Sequence, residues 1–151
     1  MSNDVNDWNA QTIAEFRKNH GKVGAQFEGA PLLLIHHTGA RTGKIRVNPV
    51  MYLKDGDRYG VFASKGGGPT NPDWFHNLMP HPDDVQIEVG DDAIDVRARE
   101  IKGPERDRIF TRQSSLSPQF GNYEKRTKRI IPVIELMPKA RPEINPESYK
   151  P

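Results

Sequence analysis

Cysteine is absent from the 151 residues. That removes disulfides, thiolate chemistry and cysteine-based zinc sites, and it fits a cytoplasmic protein. Long apolar runs are absent too. The longest, Leu32 to Ile35, is far too short to span a bilayer. The opening residues, MSNDVNDWNAQ, have no apolar stretch of the kind a secretory leader needs. They are also too polar to support a membrane-surface helix, so peripheral contact is left open without support. Charge of one sign is scarce, with a formal net charge of +2. It is unevenly spread, however: ten Lys/Arg face four Asp/Glu between Arg97 and Arg129. Such a segment meets an anionic partner or is a solvated face, and the solvated face is preferred. It lacks interleaved aromatics and any nucleic-acid-binding motif, so no nucleic-acid partner is expected.

What is present is punctuation. Thirteen glycines and 13 prolines point to short elements joined by turns within one domain. Residues 7–22 read as a helix, with Trp8, Ile13 and Phe16 near helical spacing and Gly21 as a stop. Pro31 to Thr38 is a strand, and Gly39 to Lys44 is a turn. Ile45 to Leu53 is a second strand, broken or bulged at Pro49. Lys54 to Asp57 is a hairpin turn, and Arg58 to Ser64 is a third strand. A short helix follows from about Pro72 to Met79, with Asn71 as its N-cap. Val85 to Glu100 alternates on both sides of Gly90 and reads as a hairpin. Pro104 to Ser115 is a helix with proline in its first turn. Ile130 to Met137 is a last strand, placed at an edge because of Pro132. Residues 139–151 form a Pro-rich polar tail. The whole is mainly β with flanking helices (α+β), and six short, largely antiparallel strands suggest a closed or nearly closed barrel.

Two glycine-containing stretches carry the candidate chemistry. TGARTGKIRVNP (Thr38 to Pro49) is not a nucleoside-triphosphate loop: three residues, not four, separate Gly39 from Gly43, and a strand follows Lys44. It still gathers Arg41, Lys44 and Arg46 on a tight turn. Cations and backbone N–H groups held together suit a phosphate or carboxylate. SKGGGPTNPDWF (Ser64 to Phe75) ends a strand, passes three glycines that let a ligand or another backbone come close, and enters a short helix. Its Ser64 and Lys65 could contact ring heteroatoms beside Trp74 and Asn77. The bland alternative makes Trp74 and Phe75 core plugs. Two such turns at strand ends suit a flavin-like cofactor, phosphate at one and ring at the other. His36 and His37 face opposite sides of a strand, and no metal-ligand spacing occurs, so no metal is expected. Nucleophile-elbow and Rossmann signatures are absent.

EGAPLLLIHHTGARTGKIRVNPVMYLKDGDRYGVFASKGGGPTNPDWFHNL (Glu28 to Leu78) resembles the deazaflavin-dependent nitroreductase family, which includes the coenzyme F420-dependent quinone reductases of actinobacteria. The likeness continues more weakly to about Pro138. Its specific part is the pairing of TG-x-x-TG-x-x-RVNP with ASKGG…NP-x-W…NL. The resemblance implies a single split β-barrel of the flavin-reductase, FMN-binding type over residues 1–138, with residues 1–25 as N-terminal helix and lead-in. It implies F420 as cofactor. Arg41, Lys44 and Arg46 would take its phosphate and tail. Asn48 and Pro49 would lie beside the ring, and Ala63, Ser64 and Lys65 would contact it. Pro72, Trp74 and Asn77 would border it. Lys18 and Lys22 could extend the anionic site.

The reaction implied is hydride transfer from F420H2 to a small organic acceptor. Ser64 would donate a hydrogen bond to substrate, and Tyr123 would line the substrate side or donate a proton. Nitroreductase members carry several tyrosines where this chain has Ser115 to Lys125. Tyr123 is kept, but Ser117 and Phe120 stand at the other positions, so a quinone-like acceptor is preferred to a nitroimidazole. The alternatives are an FMN-binding split barrel and a non-catalytic F420 carrier. Oligomeric state is left open.

Overall fold

The computed structural model describes residues 4–23, 31–68, 70–127 and 129–139. The lead-in around residue 25 and all of the expected tail except Lys139 lie outside the described residues, as does the side chain of Trp8. The elements run α1 (Asp4–Lys18), β1 (Leu32–Thr38), β2 (Ile45–Asp55), β3 (Arg58–Phe62), α2 (Asp73–Leu78), β4 (Val85–Val89), β5 (Asp92–Ile101), α3 (Gly103–Leu116), α4 (Gln119–Arg126) and β6 (Val133–Pro138). One turn of 3-10 helix, Lys65–Gly67, sits between β3 and α2.

The six strands close into a barrel in the order β1-β2-β3-β6-β5-β4, with every pairing antiparallel. Period-two alternation divides each strand between two environments. Leu33 and Ile35 of β1 point into the barrel with Val61, Ile87, Val96, Ala98, Ile134 and Leu136. Leu32 and Leu34 point outward and pack under α1 against Phe16 and Val23. On another face, α3 and α4 bury Ile109, Phe110 and Phe120 against Leu53, Phe62, Ile101 and Val133. Phe62 meets Phe110 and Phe120 edge-on, with ring centroids 6.0 and 5.4 Å apart, a geometry worth about 0.5–1.5 kcal/mol per pair beyond burial. Trp74, Phe75 and Leu78 of α2 belong to the barrel core and plug it.

Three local expectations need correction. β6 is no edge strand: it pairs with β3 on one side and β5 on the other. Pro132 lies just before it, so the missing N–H interrupts nothing, and its carbonyl accepts from the Ala63 N–H at 3.0 Å. β2 is not broken at Pro49, which pairs in continuous register with Leu34. The Tyr52 N–H points towards β1, onto the Pro31 carbonyl, so alternation turns the nitrogen of Pro49 away from β1. β3 pairs with β2 only from Tyr52 onwards, so no ladder bond is lost there. Finally, Pro72 rather than Asn71 occupies the cap position of α2, with no side-chain capping bond.

The basic segment is largely spent on ion pairs. Arg99 pairs with Glu135 at 3.1 Å, Arg108 and Arg112 reach Asp55 at 3.4 Å, and Arg106 lies 3.1 Å from Asp107. Arg58 stands at the centre, 2.6 Å from Glu135, 2.8 Å from Glu105 and 2.9 Å from Asp55. Burial pushes the Glu135 carboxyl up, but the Arg99 and Arg58 guanidinium groups outweigh it and hold it below the usual carboxylate range. α1 ends at Lys18, and Gly21 stops it: φ is +96° and its N–H returns to the Phe16 carbonyl at 2.8 Å. Arg17 then ties α1 to β4 through both carboxylate oxygens of Glu88.

Candidate active site

At one end of the barrel the β1–β2 turn faces α2 across a groove of about 420 Å³, lined by Gly39, Ala40, Arg41, Thr42, Arg46, Asp73, His76 and Asn77. The turn is folded by its own bonds. The Gly39 N–H donates to the Lys44 carbonyl at 2.8 Å, Gly43 N–H to the Gly39 carbonyl at 2.9 Å, and Lys44 N–H to Thr42 Oγ1 at 3.2 Å. Gly43 has φ +72°, the left-handed conformation that glycine adopts without a steric cost. A Cβ on Gly39 would stand 2.8 Å from Thr42 Oγ1 and 3.4 Å from Arg46 Nε. With these amides committed, the capacity for an anion rests on the exposed side chains of Arg41 and Arg46. Lys44 is exposed on the turn but does not line the groove.

A polar chain closes the barrel beneath the groove. Asn77 Oδ1 accepts from the Ala40 N–H at 2.9 Å, and its amide nitrogen donates to His37 Nδ1 at 3.1 Å. The Nε2–H of His37 donates in turn to Asn48 Oδ1 at 2.7 Å. This sequence of donors fixes a neutral imidazole with its proton on Nε2. His37 is 1% exposed, and burial pulls its pKa below the ordinary value. Asn77 thus braces the turn against α2, and Asn48 is joined to the same brace. Pro49, the next residue on β2, faces the opposite side of the strand.

The Ser64–Asn71 loop is built around Arg129. Its guanidinium donates to the carbonyls of Gly68 (3.0 Å), Ala63 (3.1 Å) and Ser64 (2.7 Å) and to Asn71 Oδ1 (2.6 Å). Among the described residues no carboxylate pairs with it, and burial lowers its pKa. Gly67 answers a question the sequence leaves open, between a ligand and another backbone. A Cβ there would stand 3.0 Å from the Tyr123 carbonyl and 3.1 Å from its Cα. The close neighbour is α4. Lys65 is exposed, with φ +49°, and its ammonium reaches Thr70 Oγ1 at 3.2 Å.

Of the residues singled out from sequence, Arg41, Arg46 and Asn77 meet on the groove, and Asn48 joins them through His37. Ser64 is 9% exposed and Ala63 fully buried at the end of β3, beside the loop. Pro72 leads into α2 between loop and groove. Trp74 is 7% exposed and sits in the barrel core, not on the groove lining. Tyr123 is half-buried on α4, its ring edge-on to Phe120 at 5.2 Å. Lys18 and Lys22 are exposed and off the groove. Sequence reasoning missed His37, Thr42, His76 and Arg129 as parts of this region. Among the described residues no three His, Cys, Asp or Glu side chains gather to hold a metal ion, and no helix is long and apolar enough to cross a membrane.

The fold is a split β-barrel of the flavin-reductase type, with a cationic groove at one end. The sequence model of the family described as F420H(2)-dependent quinone reductase matches residues 8–138. An F420H(2)-dependent quinone reductase of Mycobacterium tuberculosis strain H37Rv is 39% identical over 127 residues, 82% of this chain and 85% of that protein. The solved F420-H2 dependent reductase FDR-A superposes with a TM-score of 0.64 at 36% identity, covering 70% of this chain and 93% of that one. HutZ of Vibrio cholerae, at 15% identity and a TM-score of 0.57 over 85% of this chain and 88% of its own, shares the fold alone. The chain belongs to the F420H(2)-dependent quinone reductase family and is an oxidoreductase.

Proposed function

We propose that this protein uses F420H2 to reduce a quinone-like acceptor, with the cofactor held between the β1–β2 turn and the Ser64–Asn71 loop. The observation that carries this reading is the convergence of Arg41, Thr42 and Arg46 on one groove beside α2 in a chain of this family. The donor set suits the group. Guanidinium and hydroxyl groups recognise phosphate and carboxylate oxygens, and F420 carries both. When bound, F420H2 supplies a hydride, the two electrons of a quinone reduction.

The chain's own residues bind, orient and handle protons. Arg41 and Arg46, with Lys44 on the same turn, hold the anionic end. Asn77 and His37 keep that turn seated on the barrel. Ala63, Ser64 and Lys65, with Pro72 at the start of α2, shape the ring end, while Trp74 packs in the core behind them and Asn48 steadies the brace through His37. Ser64 donates a hydrogen bond to the acceptor oxygen on which charge develops. Tyr123, on the helix packed against the loop, delivers the proton that the reduced oxygen needs.

The test is a fluorescence titration of F420 into the purified protein, with FMN in parallel, followed by turnover of F420H2 with menadione. Saturable F420 binding and quinone-dependent F420H2 oxidation are expected. Preference for FMN would replace the cofactor. F420 binding without turnover of any acceptor would make the protein a carrier.

A further inference from the structure

The loop that ends β3 has no carboxylate and little apolar side-chain mass of its own to hold it. Its shape depends on a residue 65 positions away in sequence. Arg129 spends donors on acceptors at both ends of the loop: Ala63 and Ser64 where it leaves β3, and Gly68 and Asn71 where it turns towards α2. The planar fork suits this task, because it presents donors in fixed directions to several carbonyls at once. Lysine could satisfy fewer of them. Every acceptor is neutral, so among the described residues no carboxylate pairs with the charge. A half-buried cation whose partners are carbonyl and amide oxygens projects its field through the loop it supports.

We propose that Arg129 is a positioning residue: it fixes the Ala63–Asn71 loop so that Ser64 and Lys65 stand at the rim, and it sets an uncancelled positive charge beneath them for an electron-rich ring. The ligand half of this inference rests on the proposed function; the loop half does not. Arg129 acts through the loop backbone and touches no reacting atom.

The experiment compares the wild-type protein with Arg129→Gln, Arg129→Lys and the distant control Arg97→Gln, whose side chain pairs with Asp83 on the surface. The first readout is amide hydrogen exchange without ligand. The Gly67 and Gly68 amides, bonded to the Ser64 and Lys65 carbonyls at 2.9 and 3.0 Å, should exchange at least about tenfold faster in Arg129→Gln. Arg129→Lys should fall between, and Arg97→Gln should match wild type. Unchanged exchange in Arg129→Gln overturns the loop role whatever the ligand.

The second readout is F420 affinity and the absorbance of bound F420. Arg129→Gln should bind about tenfold more weakly, with an altered spectrum. Arg129→Lys, which keeps the charge, should recover the spectrum more fully than the loop protection. A wild-type spectrum and affinity in Arg129→Gln overturn the charge role. Failure of wild type to bind F420 overturns the proposed function and with it the ligand half, while the exchange result still decides the loop half. If Arg129→Gln does not fold, as judged by circular dichroism, both readouts are taken on Arg129→Lys. Wild-type loop protection there refutes the fork's role, and loss of the bound spectrum refutes the charge role.

Discussion

Asn77 and His37, forty positions apart, share a buried hydrogen bond of 3.1 Å that ties α2 to the end of β1. The bond requires His37 to be neutral at Nδ1. Burial already favours the neutral ring, opposed by the Asn48 bond and assisted by the nearby charges of Arg46 and His36.

A pH dependence follows. The folded-state pKa of His37 lies below its ordinary 6.5, so the unfolded chain binds the proton more readily. His37 therefore contributes full stability above about pH 6.5, and this is lost as pH falls towards the folded pKa. Thermal unfolding from pH 7.5 to 5 should show the fall, and His37→Gln should flatten it. Equal slopes in the two proteins would remove the assignment.

Arg41 and Arg46 are exposed, and among the described residues neither makes an ion pair. Arg46→Ala should leave the melting temperature within error and weaken F420 binding by about tenfold, the loss of one charge-assisted contact. Raising salt should weaken wild-type binding more than binding by the double variant with Arg41→Ala. F420 titrations at two ionic strengths decide this. Wild-type affinity in the double variant would move the anion site elsewhere.

Ser64→Ala should separate binding from chemistry. One oriented donor aimed at developing charge is worth roughly 100- to 1,000-fold in rate, while the ring contact it leaves is nearly unchanged. Single-turnover oxidation of F420H2 by menadione should slow more than the F420 Kd rises. Equal effects on both would reduce Ser64 to a ring contact.

Gly67→Ala meets two penalties: a φ of +83° and a Cβ 3.0 Å from the Tyr123 carbonyl. About 2 kcal/mol of destabilisation is expected. Gly43→Ala has the conformational penalty alone, with open space around the added carbon, and should cost about 1 kcal/mol. Urea unfolding of the two variants measures the difference. Equal costs would mean α4 yields freely.

Glu135 is 7% exposed between Arg58 and Arg99. Its folded pKa is depressed, so its contribution is present above its ordinary 4.5 and lost as pH falls through the lower folded value. Glu135→Gln should cost about 2 kcal/mol at neutral pH and weaken the acid sensitivity of the melting temperature below pH 5. An unchanged acid limb would show that Asp55 and Glu105 suffice for Arg58.

Alternation in residues 85–100 and the apolar stretch 31–38 made the strands legible, because period two is written directly in side-chain polarity. α4 was not legible. Its sequence, QFGNYEKR, offers only Phe120 and Tyr123 as apolar anchors and carries Gly121 inside. It is helical because Phe120 packs on Phe62 and because the chain at Gly67 admits the helix backbone. The edge placement of β6 fails because Pro132 precedes the strand and takes no part in its ladders. In the candidate site, Arg41 and Arg46 were visible as a cationic turn. His37 was not, since it looked like half of a histidine pair and its role depends on Asn77 across the groove. Arg129 was hidden in a basic run, and only the pairing of β3 with β6 brings it under the loop.

Closure of the six-stranded ring makes the inside–outside parity of the groove strand a property of the whole circuit. On β2, Arg46 and Asn48 share one parity and Pro49 the other. Each strand is clamped by neighbours on both sides, so β2 cannot slide by one position without its ladders to β1 and β3 yielding together. Single-residue insertions or deletions within β2 would exchange the two sets wholesale. Viable lineages should therefore vary this wall by substitution or by paired length changes, while single-residue length changes collect in the turns.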